Sequence, residues 1–202
     1  MSINVCNDRS MASITSFPSG VSGSSLVLIS TQTASSSSTI NFTSGIDSTY
    51  KEYVFKIINC HPASDEVDFS FQGSTNTGSS YGVTMTSTGF SAYHNEAGSA
   101  QGVGYEGQLD QAQGTGFHQL SYDTSNDNDH CINAELFLFD PSNTTFVKSF
   151  MHADQNMAQT AAYSSNAYAA GYINTTSAVN AIQFKFHSGA IDSGTIIMYG
   201  VS

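Results

Sequence analysis

The segment CINAELFLFD puts Ile132, Ala134, Leu136 and Leu138 at alternate positions, and this period of two constrains the chain more than any other feature. It recurs in VDFSFQG, with Val67, Phe69 and Phe71, and in NAIQFKF, with Ile182, Phe184 and Phe186. Successive side chains of an extended strand point to opposite faces, so alternate apolar residues give each strand one face for a core. Apolar residues nowhere keep a helical period over three turns. ADQNMAQTAAY (residues 153–163) is the one stretch rich in helix formers, and it reads as at most a short helix or a loop.

The alternation continues along the chain. SSLVLISTQT is a short β-branched run, ASSSS (Ala34–Ser38) reads as a turn, and TINFTS as the next strand. YKEYVFKIINC sets Tyr53, Phe55 and Ile57 against Val54, Lys56 and Ile58. HPASDE follows as a turn, because Pro62 cannot donate to a ladder. That strand and VDFSFQG, which turns Asp68 and Ser70 outward, are expected to form a hairpin. CINAELFLFD and TTFVKSFMHAD form another around DPSN, where Pro141 presets φ for the turn. The stretch from Gly98 to Gly116 reads as a long loop with one irregular strand, a type that is usually functional. The closing segment reads as a last hairpin with Ile182, Phe184, Phe186, Ile196 and Met198 in the core, ending too near Ser202 to leave a tail. About ten strands joined by Gly, Ser and Asn turns predict an all-β fold: an antiparallel, jelly-roll-like β-sandwich over residues 21–202. Residues 1–20 read as an extended N-terminal arm.

Charged residues are 10% of the chain and the net charge is −11, with Arg9 the only arginine. Nucleic-acid binding needs a basic stripe to neutralise phosphates, and an anionic membrane surface needs the same, so neither is an expected partner. Thirteen Phe and ten Tyr supply a core without Trp. Cys6, Cys60 and Cys131 are an odd number with no metal-binding spacing. Free thiols in a reducing cytoplasm fit best, and the spacing leaves a Cys60–Cys131 disulfide open. The N-terminus lacks the pattern of a signal peptide, and the apolar run Leu26–Ile29 is too short to cross a bilayer. Without a secretion signal, the sequons at Asn41, Asn143 and Asn174 read as chance matches in a Thr-rich chain.

No catalytic motif stands out and no cofactor is implied. Asp123, Asp127 and Asp129 offer oxygen ligands for Ca²⁺, but Asn128 and Ala134 occupy the positions where an EF-hand loop needs Gly and Glu. His61, His94, His118, His130, His152 and His187 are scattered singly: four at strand ends or in loops, and His118 and His187 at outward strand positions. There is no GxSxG elbow. Glu96 and Glu106, in the Gly-rich middle, are the only carboxylates that suggest a glycosidase pair. Tyr81, Tyr93, Tyr105, Tyr163 and Tyr168 lie near loops. They read as caps of the core or subunit contacts, or as rings on which sugar faces stack.

The run LVLISTQTASSSSTINFTSGIDSTYKEYVFKIINCHPASDEVDFSFQGS carries a resemblance, together with YHNEAG, LFLFDPSNTTFVKSF, AGYINTTSAVNAIQFKF and SGAIDSGTIIMYG. From about Ile14 onward the chain resembles small virion structural proteins of tailed bacteriophages, especially those of cyanobacteria and other aquatic bacteria. The resemblance implies a β-sandwich subunit on the particle with no enzymatic activity. The expected role is a capsid decoration or cement subunit, a homotrimer docked on the major capsid protein or other virion proteins, on a particle assembled in the host cytoplasm. The alternative is a tail-fibre or receptor-binding appendage that recognises host glycans. Contacts are expected from Ser2, Ile3, Val5, Ile14 and Phe17 of the arm, and from Tyr93 and Tyr105 in the middle of the chain.

Overall fold

A computed structural model describes residues 26–158 and 163–202. The predicted arm, with Ser2, Ile3, Val5, Ile14 and Phe17, lies outside the described residues, as does Cys6. The described chain is all β. Its strands are β1 (Leu26–Ser37), β2 (Ile40–Phe42), β3 (Glu52–Pro62), β4 (Phe69–Ser74), β5 (Met85–Asn95), β6 (Gln101–Tyr105), β7 (Gln111–Gly114), β8 (His118–Gln119), β9 (Ile132–Phe139), β10 (Lys148–Ala158), β11 (Tyr163–Ile173), β12 (Ala181–Phe186) and β13 (Ile191–Val201). One 3-10 turn, Gly107–Leu109, is the only helical element among the described residues. No described helix is long and apolar enough to cross a membrane.

The strands form two antiparallel sheets. The nine-stranded sheet has the order β1-β13-β3-β9-β10-β11-β5-β6, with β7 also on β5, and the four-stranded sheet has the order β2-β12-β4-β8. Eight strands, β1 to β4 with β8, β9, β12 and β13, change sheets at every step in chain order except from β4 to β8, which are neighbours in the small sheet. The β5–β7 segment is inserted between β4 and β8 and the β10–β11 hairpin between β9 and β12, and both widen the larger sheet.

The core forms where the alternating apolar faces meet. Phe184 of the closing segment sits at its centre, 5.5 Å from Phe55, 6.1 Å from Phe69, 6.2 Å from Phe42 and 6.4 Å from Phe71 by ring centroids. Ile182, Phe186, Ile196 and Met198 are buried with it, as predicted. The pairing is not as predicted. β12 belongs to the small sheet and β13 to the large one, so the closing pair is a step between sheets and not a hairpin. The same holds for β3 and β4. The hairpin of β9 and β10 forms as expected, and Asn143 N–H donates to Asp140 C=O at 3.0 Å across the DPSN turn.

Other expectations are corrected by where hydrogen bonds are satisfied. Ala34–Ser37 continue β1 instead of turning, because they pair with β13. β3 runs through Pro62, which stands opposite Ile191. ADQNMA extends β10 to Ala158, paired with β11, while residues 159–162 lie outside the described chain. The Gly-rich middle holds two short strands, β6 and β7, both on β5. Ser70 is buried, not outward, because its hydroxyl donates to Lys185 C=O at 3.1 Å, and Asp68 is half-buried. Next to it, buried Gln72 donates to the carbonyls of Thr115 and Gly116, so a loop covers this face of β4. Cys60 and Cys131 are free thiols. Burial pushes the Cys60 thiol up to about 12, which removes its thiolate at neutral pH.

Candidate functional site

Beyond β10 the inner face of the large sheet is covered differently. Leu109 of the 3-10 turn packs with Ala167 and Ala169 of β11, and Tyr122 packs against them. Beside this small cluster a cleft of about 270 Å³ opens, lined by Tyr93, Glu106, Tyr122, Ala158, Tyr163 and Ser165.

Each lining side chain has a local reason for its place. Tyr93 of β5 stands opposite Ser165 of β11, so the strand pleat turns both to the inner face. The Tyr93 ring meets Tyr163 edge to face at 5.7 Å. It lies across Gly102 of β6, where a Cβ would stand 3.0 Å from the ring, so a side chain there would displace it. Glu106 follows β6 and caps the 3-10 turn: one carboxylate oxygen accepts from Gln108 N–H at 3.2 Å and the other from Ser91 Oγ at 3.3 Å. Ser165 Oγ donates to Tyr122 Oη at 3.1 Å, and Asn156 Nδ2 donates to Tyr122 C=O at 2.8 Å. Ser91 and Ser165 are buried, so the floor is polar and ordered.

The opposite face of the same strands carries a second feature. Phe90 and Tyr168 stack at 5.3 Å with an 18° interplanar angle. Tyr105 lies across from Phe90 on β6, and Met151, Tyr168 and Ala170 border the same hollow. Phe90, Tyr105, Met151 and Tyr168 are all exposed, as are Val103 and Leu28 elsewhere on the large sheet. The Tyr105 hydroxyl donates to Asp110.

The predicted tyrosines therefore separate. Tyr93 and Tyr163 share the cleft, Tyr105 and Tyr168 share the outer ridge, and Tyr81 stands in the loop before β5. Glu96 and Glu106 do not face one another across a cleft. Glu96 borders a different hollow with His94, Gln155 and Met157. Tyr122 and Ser165 were not singled out from the sequence. Tyr122 sits in a polar segment without alternation, so only its aromatic character among Ser, Asp and Asn marks it.

The histidine expectations need correction. His118 and His152 both point into the protein and are buried, with their Nε2 atoms 3.0 Å apart. Ser87 Oγ donates to Leu109 C=O at 2.9 Å and accepts from Gln111 N–H at 3.0 Å. Its single proton is thus committed, so at the 3.2 Å contact His118 Nδ1–H must be the donor. His118 Nε2 then accepts, His152 Nε2–H donates, and His152 Nδ1 is left as a buried acceptor without a partner. Burial lowers both histidines, His152 to about 3, so the pair is neutral. Ser87 is not activated by it, because a hydroxyl that receives a proton from imidazole is not deprotonated by it.

Among the described residues no three metal-ligating side chains gather to hold an ion. Asp127 and Asp129 flank His130 at 3.8 and 3.9 Å, while Asp123 N–H donates to Asp68 at 3.1 Å. No protein-family model matches the chain, and no curated protein or solved structure is significantly similar to it.

Proposed function

We propose that this chain is an exterior virion structural protein of a tailed phage, a decoration or cement subunit that bridges neighbouring capsid proteins. The observation that carries the reading is the outer face of the large sheet at β10 and its neighbours. β10 turns Met151 outward and, beside Phe150 and Ala158, buries Lys148, His152, Asp154 and Asn156. Together with Phe90, Tyr105 and Tyr168 this gathers aromatic and thioether side chains into one exposed ridge. Aromatic residues and Met are enriched in protein contacts, and apolar surface gathered in one place marks an interaction site. The two facing four-strand orders, β1-β13-β3-β9 and β2-β12-β4-β8, support a jelly-roll reading of the core, a self-contained unit suited to repeated display on a shell. A subunit that binds assembled neighbours and not dispersed ones stabilises the shell by mass action.

Cryo-electron microscopy of the particle tests this. Density for the chain is expected on the shell lattice, with the β5–β6–β11 face against a neighbouring subunit, either the major capsid protein or another copy in a trimer. Density confined to the tail would sink the cement reading and favour the receptor-binding appendage.

A further inference from the structure

We infer that the cleft between Tyr93, Tyr122, Tyr163 and Glu106 is a carbohydrate site that takes one neutral pyranose ring. It lies on the opposite face of the sheet from the assembly ridge, because Tyr93 and Phe90 are an odd number of residues apart on β5, as are Ser165 and Tyr168 on β11. It therefore stays open when the ridge is covered, and it goes beyond the assembly reading.

Four observations point to this ligand class. First, the cleft combines ring surface with hydrogen-bonding groups, as a sugar's CH face and hydroxyl edge require. At about 270 Å³ it falls just short of the usual span of sites for drug-sized ligands, which suits a single ring. Second, a carboxylate accepts about four hydrogen bonds. Two partners, Ser91 Oγ and Gln108 N–H, fix Glu106 and leave acceptor capacity for two adjacent sugar hydroxyls. Third, Tyr93 is 42% exposed, yet its ring is seated on Gly102 and against Tyr163, so little side-chain freedom remains to be lost on binding. Fourth, Glu106 and the net charge of −11 disfavour a phosphate or an acidic sugar. A quaternary ammonium would be drawn to Glu106, but a cage needs several ring faces turned to one point, and Tyr93 and Tyr163 meet edge to face.

The test is saturation-transfer NMR on the full chain with glucose, galactose, mannose and N-acetylglucosamine, and with choline as the competing cation. Transfer to the ring protons of at least one sugar is expected, with a dissociation constant on the order of millimolar. Tyr93→Ala and the isosteric Glu106→Gln should each weaken binding roughly tenfold, and Tyr168→Ala on the opposite face should leave it unchanged. No transfer to any of the four sugars, transfer that survives both cleft substitutions, or binding of choline in their place overturns the assignment. A subunit found on the shell lattice that binds no sugar would leave the assembly reading standing and remove this one.

Discussion

Asp154 and the two buried histidines make this protein's stability respond to pH with opposing signs. Burial holds His118 well below 6.5 and His152 at about 3, so the folded state binds fewer protons there than the unfolded chain. The histidines' contribution to stability is therefore complete above about pH 6.5 and falls as the pH drops toward the folded values, by about 1.4 kcal/mol per pH unit for each histidine. Asp154 is the reverse case. It is buried, one carboxylate oxygen accepts from Ala167 N–H at 3.1 Å, and the other has no partner. Burial raises it well above 3.8, so its contribution is lost as the pH rises through the folded value. Asp154→Asn keeps the acceptor and removes the ionisation. The variant should gain on the wild type as the pH rises from about 4 to 7, by about 1–3 kcal/mol, while both still lose stability on acidification. Guanidinium unfolding across that range measures both effects. A wild-type profile flat below pH 6.5 would falsify the buried neutral pair. None of this was legible in the sequence. β10 keeps a strict period of two, but beside Phe150 and Ala158 its inward residues are Lys148, His152, Asp154 and Asn156, so an apolar-inside rule assigns these four to the wrong face or to a loop. Lys148 and Asn156 are tolerated inside through their donors, Lys148 Nζ to the carbonyls of Phe146 and Thr175 and Asn156 Nδ2 to Tyr122 C=O and Thr124 Oγ1, whereas burial favours the neutral forms of His152 and Asp154.

At the scale of elements, the strands themselves were readable, because Phe and Ile at alternate positions leave one arrangement for β4, β9 and β12. Their partners were not. Neighbouring strands in a sheet lie about 4.8 Å apart and packed sheets about 10 Å apart. A link of a few residues, at roughly 3.3–3.6 Å each, spans either distance. Nothing local therefore separates a hairpin from a step between sheets, and β3–β4 and β12–β13 were misread for that reason. The end of β3 adds a second irregularity. The pattern Ile57, Ile58, Asn59, Cys60 buries the first and last residues, which needs one extra residue between them. Asn59 supplies it at a φ of 49°, and the partner strand answers with Gly194 at a φ of 130° where the β13–β3 register shifts. A Cβ at Gly194 would stand 2.6 Å from Cys60 Cα, against backbone that cannot step aside cheaply. Gly194→Ala is expected to cost about 2–4 kcal/mol, from strain at positive φ plus the clash. A neutral result in urea unfolding would mean that the bulge relaxes freely. Asn59→Gly is expected to be near neutral, since glycine adopts that φ without strain.

The chain is acidic and sparing in charge, and the ridge gathers several of its exposed aromatic side chains in one place. Stability and assembly should therefore separate under mutation. Phe90 is 51% exposed and Tyr168 44% exposed, and they stack mainly on each other, so their removal takes little from the core. Phe90→Asp should shift the isolated protein's stability by about 0.5 kcal/mol or less, as exposed substitutions commonly do. If the ridge docks on a neighbouring subunit, the same change buries a carboxylate without a partner in the contact. That costs at least a few kcal/mol, or more than a hundredfold in affinity. The chain already carries a net charge of −11, so a generic loss of solubility is not what an added aspartate would cause. On the proposed virion role, phage carrying Phe90→Asp are thus expected to assemble with particles nearly empty of this subunit, while the purified variant melts like the wild type. Quantitative mass spectrometry of purified particles reads the occupancy. Tyr93→Ala, on the other face of the same strand, serves as the internal control and should leave occupancy unchanged. Occupancy that is full in Phe90→Asp and lost in Tyr93→Ala would reverse the assignment of the two faces, making the tyrosine cleft the contact and leaving the ridge exposed on the particle.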